Sequence, residues 1–398
     1  MSVHRISNTI EQALTQAGLD VHSGPTKTAV DTIRRALEAA RLAQEAPARA
    51  ADEDSNTIDV DARVVADDVH VVPDRAQPTT APAEHAATAS RGRFLRLQHS
   101  GPGGSRAYKL YVPARDRTEP MPLVVMLHGC KQNPDDFAAG TRINALAEEQ
   151  GFLVAYPEQS AKANGSNCWN WFEPRDQARD GAEPSIIAGI VRDIGKHHAV
   201  DQRRVFVAGL SAGAAMAVIL GETHPDVFAA VGAHSGLPYG AAHDVASAFA
   251  AMHGAGHADA GVRAPSRRPS GKQPAASRGV PTIVFHGDRD ATVALKNGAA
   301  IAEQARSNLA SETGALKSEV QSHTAHGRRC TRTAHVDEDG VPWVEEWTVH
   351  GGGHAWSGGS AAGSFAEPLG PDASREMMRF FMLHELRESG AAVETAAT

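Results

Sequence analysis

A serine flanked by glycines stands between a predicted strand and a predicted helix. Residues 205–213 contain the pattern G-x-S-x-G, with Ser211 at its centre. The β-branched and aromatic run before it is typical of a buried strand, and the small-residue run from Ala214 to Leu220 is typical of a tightly packed helix. Because a sharp strand-to-helix turn strains its central residue and excludes bulky neighbours, the spacing predicts a nucleophile elbow.

Two aspartates and several histidines downstream are candidate partners for this serine. In a hydrolase with such an elbow, the order is serine, acid, histidine, each on a loop after a strand. Asp288 and Asp290 both follow the predicted strand 281–285; Asp290 is favoured because it lies deeper in the turn, and Asp288 stays the alternative. Three glycines precede His354, which favours it because they allow a close approach to the serine. The other histidines, interpreted as packing or surface residues, are His323, His326, His335 and His350.

These residues fit the chemistry of acyl transfer. Ser211 is expected to attack an acyl carbon, His354 to take its proton and return it to the leaving alcohol, and Asp290 to orient the imidazole. The oxyanion requires two backbone N–H donors. We expect these from Ala212, directly after the nucleophile, and from Cys130, at the end of the strand that finishes near residue 129.

Two cysteines and three tryptophans lie on loops near these residues. Cys130 and Cys168 are either bonded to each other or buried thiols, and the lack of a recognisable secretory signal favours the reduced form. The indole rings are predicted either to line an acyl or polymer cleft or to pack in the core; the residues are Trp169, Trp171 and Trp356.

Composition excludes several classes of function. A net charge of -8 over 398 residues argues against nucleic acid as the main partner. The sequence contains no run of eighteen apolar residues, so no transmembrane segment is predicted. The three cysteines and the histidine spacing do not predict a metal site, and no cofactor is expected. The first residues lack the apolar core of a secretory signal, so the expected location is the cytoplasm.

The chain divides into three parts by composition. Residues 1–46 carry apolar residues at helical spacing and predict amphipathic helices, and residues 47–92 predict an acidic, disordered linker rich in Ala, Pro and Asp. From residue 93 to 388, strands alternate with helices, which predicts an α/β fold with a doubly wound, mostly parallel sheet. Residues 240–279 interrupt this alternation and are expected to form an insertion, partly disordered. Single helices are predicted over 135–150 and 372–386.

Five motifs between residues 93 and 386 occur together in a specific order. They resemble those of the poly(3-hydroxybutyrate) depolymerase family of esterases, type 1 catalytic domain, which is related to feruloyl and acetylxylan esterases. The resemblance implies an α/β-hydrolase fold, a serine triad of Ser211, Asp290 and His354, and Cys130 at the oxyanion hole. The motifs occupy residues 127–132, 167–172, 209–213, 286–290 and 353–359.

The resemblance implies a serine esterase that hydrolyses short-chain poly(3-hydroxyalkanoate), such as polyhydroxybutyrate, or its oligomers through an acyl-enzyme. The alternatives are a feruloyl, acetylxylan or general carboxylesterase and, in another class, a catalytically silent granule-binding protein. Helices in residues 1–46 would either lie on a polyhydroxyalkanoate granule or dock on the catalytic domain. Many family members are secreted, so the extracellular space is the alternative to a cytoplasmic or granule-associated location.

Overall fold

A ten-stranded mixed sheet forms the centre of the part of the chain that the structure describes. The computed structural model describes residues 92–114, 119–254 and 279–386. The helices predicted for residues 1–46, the linker up to residue 91 and the disorder predicted within 255–278 lie outside these ranges. The strands are β1 (Arg93–Gly101), β2 (Gly104–Val112), β3 (Met121–Leu127), β4 (Leu153–Pro157), β5 (Val200–Leu210), β6 (Ala230–His234), β7 (Thr282–Gly287), β8 (Lys317–Ala325), β9 (Arg328–Val336), β10 (Pro342–Val349), β11 (Trp356–Ser357) and β12 (Ala366–Glu367).

The strand order of the large sheet is β1-β2-β4-β3-β5-β6-β7-β10-β9-β8. The six consecutive strands from β4 to β10 pair in parallel, and antiparallel pairs extend the sheet at both ends. β11 and β12 form a separate parallel pair. In a parallel sheet the carboxyl ends of the strands meet at one edge, where ligands bind. The turns after β3, β5, β7 and β10 therefore come together at that edge.

Helices cover both faces of this sheet. They are α1 (Pro134–Thr141), α2 (Ile143–Gln150), α3 (Ala182–His197), α4 (Ala212–Thr223), α5 (Val245–Met252), α6 (Lys296–Thr313) and α7 (Ala373–Phe381). One core is built with α3, α4, α5 and α6, and the other with α1, α2 and α7. Along β3, Leu123 and Val125 belong to the first core and Val124 to the second, so the strand is buried on both faces. That burial explains its unbroken apolar sequence.

The structure corrects two predicted helices. The segment predicted as one helix over 135–150 is two helices, because Arg142 has a left-handed backbone (φ 55°) that ends α1 and starts α2. The last helix, predicted to reach residue 386, ends at Phe381. Within the insertion, the structure has one Ala-rich helix, α5. None of the helices in the described ranges has the length and apolar character needed to cross a membrane.

Candidate active site

Ser211 occupies the sharp turn between β5 and α4. Its backbone has φ 57° and ψ -120°, a combination that is strained for any residue with a side chain. A Cβ at Gly213 would overlap the carbonyl oxygen of Leu127 on the neighbouring strand, so only glycine lets α4 approach the sheet this closely. The Ser211 N–H donates to the carbonyl of His234 at 2.9 Å, which ties the turn to β6. These contacts give the predicted elbow a defined position at the carboxyl edge of the sheet.

Asp290 and His354 form a hydrogen-bonded pair at the same edge. The Nδ1 atom of His354 lies 2.7 Å from Oδ2 of Asp290, whose side chain is fully buried. The other carboxylate oxygen of Asp290 accepts from the N–H groups of Thr292 and Val293. Burial by itself would raise the pKa of Asp290, but the hydrogen bond and charge of His354 and these two N–H donors outweigh it and lower the pKa to about 2. Asp290 is therefore an anion that holds the imidazole through Nδ1.

Asp288 has a different histidine as its partner. Its Oδ2 lies 2.9 Å from Nδ1 of His350, and its Oδ1 accepts from the N–H of Gly351 at 2.6 Å. The Asp288 side chain is 28% exposed, whereas that of Asp290 is 0% exposed. The structure thus separates the two aspartates that the sequence left as alternatives: Asp290 contacts His354, and Asp288 holds the start of the loop that carries His354.

His234 joins the serine turn to the histidine loop, a role that the sequence analysis missed. Its carbonyl accepts from Ser211, its Nε2 accepts from the N–H of Ser357 at 3.1 Å, and its ring stacks on Trp356. Burial, together with the nearby imidazoles of His286 and His354, lowers the pKa of His234 to about 3, so it is a neutral acceptor. The available signal was a histidine at the end of a buried strand next to the nucleophile strand.

The two predicted oxyanion donors lie at the turns after β3 and β5. Ala212 is the first residue of α4, so its N–H has no acceptor within the helix. Cys130 follows Gly129, whose N–H donates to Oε1 of Gln132 at 2.9 Å. The buried His128 accepts from the N–H of Gln159 through Nε2, so its Nδ1 carries the proton and donates to the Gly129 carbonyl. The turn that carries Cys130 is therefore held by side chains on both sides.

Cys130 and Cys168 are joined in a disulfide, contrary to the expectation that both are reduced. The turn after β3 and the loop of Cys168 lie side by side, because the N–H of Lys131 donates to the carbonyl of Ser166 at 2.8 Å. The proximity of these two loops depends on the tertiary fold, whereas the expectation used only the amino-terminal sequence. The disulfide links a candidate oxyanion donor to the loop of residues 164–173.

The three tryptophans are packed in the interior rather than exposed in a cleft. Trp169, Trp171 and Trp356 are 0%, 6% and 1% exposed. The indole N–H of Trp169 donates to the carbonyl of His128, and that of Trp356 donates to Oγ of Ser374. Of the two alternatives, the structure thus supports packing, and their assignment to substrate binding is corrected to support of the surrounding loops.

A buried polar cluster behind the disulfide loop was also missed. Glu183 accepts from the backbone and side-chain N–H groups of Asn170, both at 2.8 Å, and from Nε2 of Gln159. Gln159 in turn accepts from the guanidinium of Arg106. Burial raises the pKa of Glu183 above its ordinary value. These polar residues are scattered over the sequence at no spacing that a motif would reveal. In the described residues no group of three or more His, Cys, Asp or Glu side chains could hold a metal ion.

Comparison with known proteins finds relatives that are named as a polyester depolymerase and as a feruloyl esterase. Poly(3-hydroxyalkanoate) depolymerase C of Paucimonas lemoignei is 34% identical over 260 residues, which are 64% of this chain and 59% of that protein. Feruloyl esterase B of Neurospora crassa is 35% identical over 170 residues, 41% of this chain and 56% of that protein. The chain thus spans somewhat over half the length of these curated relatives.

The fold has a counterpart among solved structures. An acetyl xylan esterase from Aspergillus awamori superposes with a TM-score of 0.53 at 20% identity, covering 73% of this chain and all of that one. This likeness confirms the α/β-hydrolase fold.

The Esterase PHB depolymerase family matches residues 106–319, more than half of the 398 residues. The predicted resemblance is thereby confirmed: the chain belongs to the Esterase PHB depolymerase family, a family of carboxylic ester hydrolases.

Proposed function

We propose that this protein is a serine esterase that hydrolyses short-chain poly(3-hydroxyalkanoate) or its oligomers. The observation that carries the proposal is the hydrogen-bonded Asp290–His354 pair, which lies at the same carboxyl edge of the sheet as the Ser211 elbow. The family match and the relative named as a poly(3-hydroxyalkanoate) depolymerase support the choice of substrate.

The proposed reaction has two halves. His354 accepts the Ser211 proton through Nε2 while the Ser211 oxygen forms a bond to the ester carbon. The C–O bond to the alcohol then breaks, and the alcohol oxygen leaves with the proton that His354 held. Water repeats the sequence on the acyl-serine and releases the acid. Asp290 keeps its charge throughout and keeps Nδ1 protonated.

The N–H groups of Ala212 and Cys130 are proposed to stabilise the negative charge on the ester oxygen. Ala212 contributes an N–H that points from the first turn of α4, where the helix dipole adds to its effect. The disulfide to Cys168 restrains the backbone of Cys130, so this donor is fixed before substrate binds.

A substrate panel tests the proposal. Purified enzyme would be given amorphous polyhydroxybutyrate, 3-hydroxybutyrate oligomers, methyl ferulate, acetylated xylan and p-nitrophenyl butyrate, with Ser211→Ala as the control. Preference for the polyester or its oligomers supports the proposal, and preference for methyl ferulate or acetylated xylan replaces it with the function named for other relatives. Failure to react with a fluorophosphonate probe would favour a catalytically silent granule-binding protein.

We further propose that residues 1–46 bring the enzyme to the polyester surface. Apolar residues at helical spacing in this segment support a contact with a hydrophobic granule, and docking on the catalytic domain is the alternative. A chain lacking residues 1–92 would keep p-nitrophenyl butyrate hydrolysis but lose co-sedimentation with granules. Equal sedimentation of the truncated and full-length chains would end this proposal.

The disulfide supports the extracellular alternative for the location of the protein rather than the cytoplasmic one. Disulfides persist in oxidising compartments and are rare where thiols are kept reduced. Alkylation of thiols in the native producing cells, followed by mass spectrometry, would check this. Free thiols at Cys130 and Cys168 in freshly lysed cells would restore the cytoplasmic location.

A further inference from the structure

Phe365 is an exposed aromatic residue beside the candidate catalytic histidine. Its side chain is 44% exposed, and its ring centroid lies 6.3 Å from that of His354 in an edge-on arrangement of 80°. Large apolar side chains of this kind are usually buried. A ring that is left in solvent at the active site is therefore available for contact with a ligand.

The backbone of Phe365 is held in an unfavourable conformation. Its φ is +48°, in the left-handed region that aromatic residues rarely adopt. Such strain persists only where the surroundings impose it, and it is concentrated at functional sites. Here the carbonyl of Phe365 accepts from the N–H of Trp356 at 2.7 Å, at the point where β12 begins to pair with β11. That bond fixes Phe365 relative to the loop of His354.

The residues before Phe365 are fixed against α1. Ser364 donates through its N–H and its hydroxyl to the carboxylate of Asp136, at 2.7 and 2.6 Å. Gly363 packs so closely on α1 that a Cβ there would overlap the backbone of Gly140. This segment therefore has little freedom to relax the strain at Phe365.

The same segment is connected to the oxyanion turn. Nε2 of Gln132 donates to the carbonyl of Ser364 at 2.9 Å, and Oε1 of Gln132 accepts from the N–H of Gly129. Phe365 is thus linked through one buried amide to the turn of Cys130 and through Trp356 to His354. The turn of the candidate oxyanion donor and the loop of the candidate catalytic histidine together set the position of the Phe365 ring.

We propose that Phe365 is a specificity-determining residue that contacts the alcohol portion of the ester. The inference rests on the proposed function: His354 must deliver its proton to the leaving alcohol oxygen, so a ring packed on His354 lies next to that alcohol. A larger apolar alcohol covers the ring and removes apolar surface from water, whereas a small alcohol does not reach it. The acyl group, attached on the serine side, does not depend on this contact.

Matched esters with one acyl group test the proposal. Wild type, Phe365→Ala and Phe365→Leu would be assayed by pH-stat on ethyl butyrate and hexyl butyrate. Phe365→Ala is expected to lower kcat/KM for hexyl butyrate roughly tenfold more than for ethyl butyrate, and Phe365→Leu to retain most of the preference. The control is Met382→Ala, which removes an equally exposed apolar side chain (44%) just after the end of α7.

The rate of deacylation distinguishes a Phe365 side chain that contacts the alcohol from one that only supports His354. The alcohol has left before the butyryl-enzyme reacts with water. In a burst experiment with p-nitrophenyl butyrate, Phe365→Ala should therefore lower the rate of the burst, which reports acylation, far more than the steady-state rate that follows, which reports deacylation. Equal losses in both rates, or equal losses for both butyrate esters, would overturn the proposal and make Phe365 structural. If wild type hydrolyses none of these esters, or Ser211→Ala hydrolyses them equally, the proposed function itself fails.

Discussion

Replacement of Asp290 by asparagine removes the charge that holds His354. The oxygen of the new amide can still accept from Thr292 and Val293, but its N–H, facing Nδ1 of His354, would favour the tautomer with the proton on Nε2. That tautomer cannot take the Ser211 proton. We therefore expect Asp290→Asn to lower kcat by about 10⁴-fold, since the corresponding change in a serine protease triad has about that effect.

The same substitution has a consequence for stability. The Asp290 side chain is fully buried, and its pKa falls from the ordinary value of 3.8 to about 2. A depression of this size corresponds to about 2 kcal/mol of folding free energy. Because the folded-state pKa is the lower one, this contribution is present above pH 3.8 and is lost as the pH falls through about 2. The free energies of unfolding of wild type and Asp290→Asn should accordingly differ at neutral pH and become equal in strong acid.

Kinetics and unfolding measured on three proteins would check this reasoning. Wild type, Asp290→Asn and Asp288→Asn would be compared on p-nitrophenyl butyrate and in urea unfolding at several pH values. Asp288→Asn is the matched control because it makes the same change in a partly exposed aspartate that pairs with His350. Its activity should stay within about tenfold of wild type. A larger loss in Asp288→Asn than in Asp290→Asn would transfer the role of the acid to Asp288 and refute the assignment.

Three further predictions concern the elbow and the disulfide. Ser211→Ala and His354→Ala should each lower kcat by several orders of magnitude with a cooperative thermal transition preserved, and normal turnover in Ser211→Ala would contradict the triad. Cys168→Ser removes a disulfide between residues 38 apart in sequence, so it should lower the free energy of unfolding by about 3–4 kcal/mol and also lower kcat. Calorimetry and kinetics on the same preparation would measure both effects. An unchanged melting temperature would mean that the two loops are held together without the disulfide. Gly213→Ala should lower Tm and activity together because its methyl group would overlap the backbone of Leu127, whereas Ala214→Gly in the same helix is expected to retain the elbow.

Local sequence was sufficient to predict the order of strands and helices and the sharp turn at Ser211. A β-branched strand, two glycines and a run of small residues are close together in the chain, and the elbow that they predict needs only local sterics. The three glycines before His354 predicted its loop from local sterics as well, because they allow a close approach to the serine. Alternation of strands and helices also predicted the mostly parallel sheet, because parallel strands require crossovers.

Tertiary structure decided the features that depend on which loops become neighbours. Asp288 and Asp290 are two residues apart, and only the placement of the loop after β10 assigns one to His350 and the other to His354. The bond between Cys130 and Cys168 requires two loops that are distant in sequence to meet. Burial likewise separated the packed tryptophans from the exposed Phe365, since an aromatic residue has the same sequence signature in a core as at a site. Contacts between loops at the carboxyl edge of the sheet determine the aspartate partners, the disulfide and the burial of these rings, and no local sequence pattern encodes such contacts.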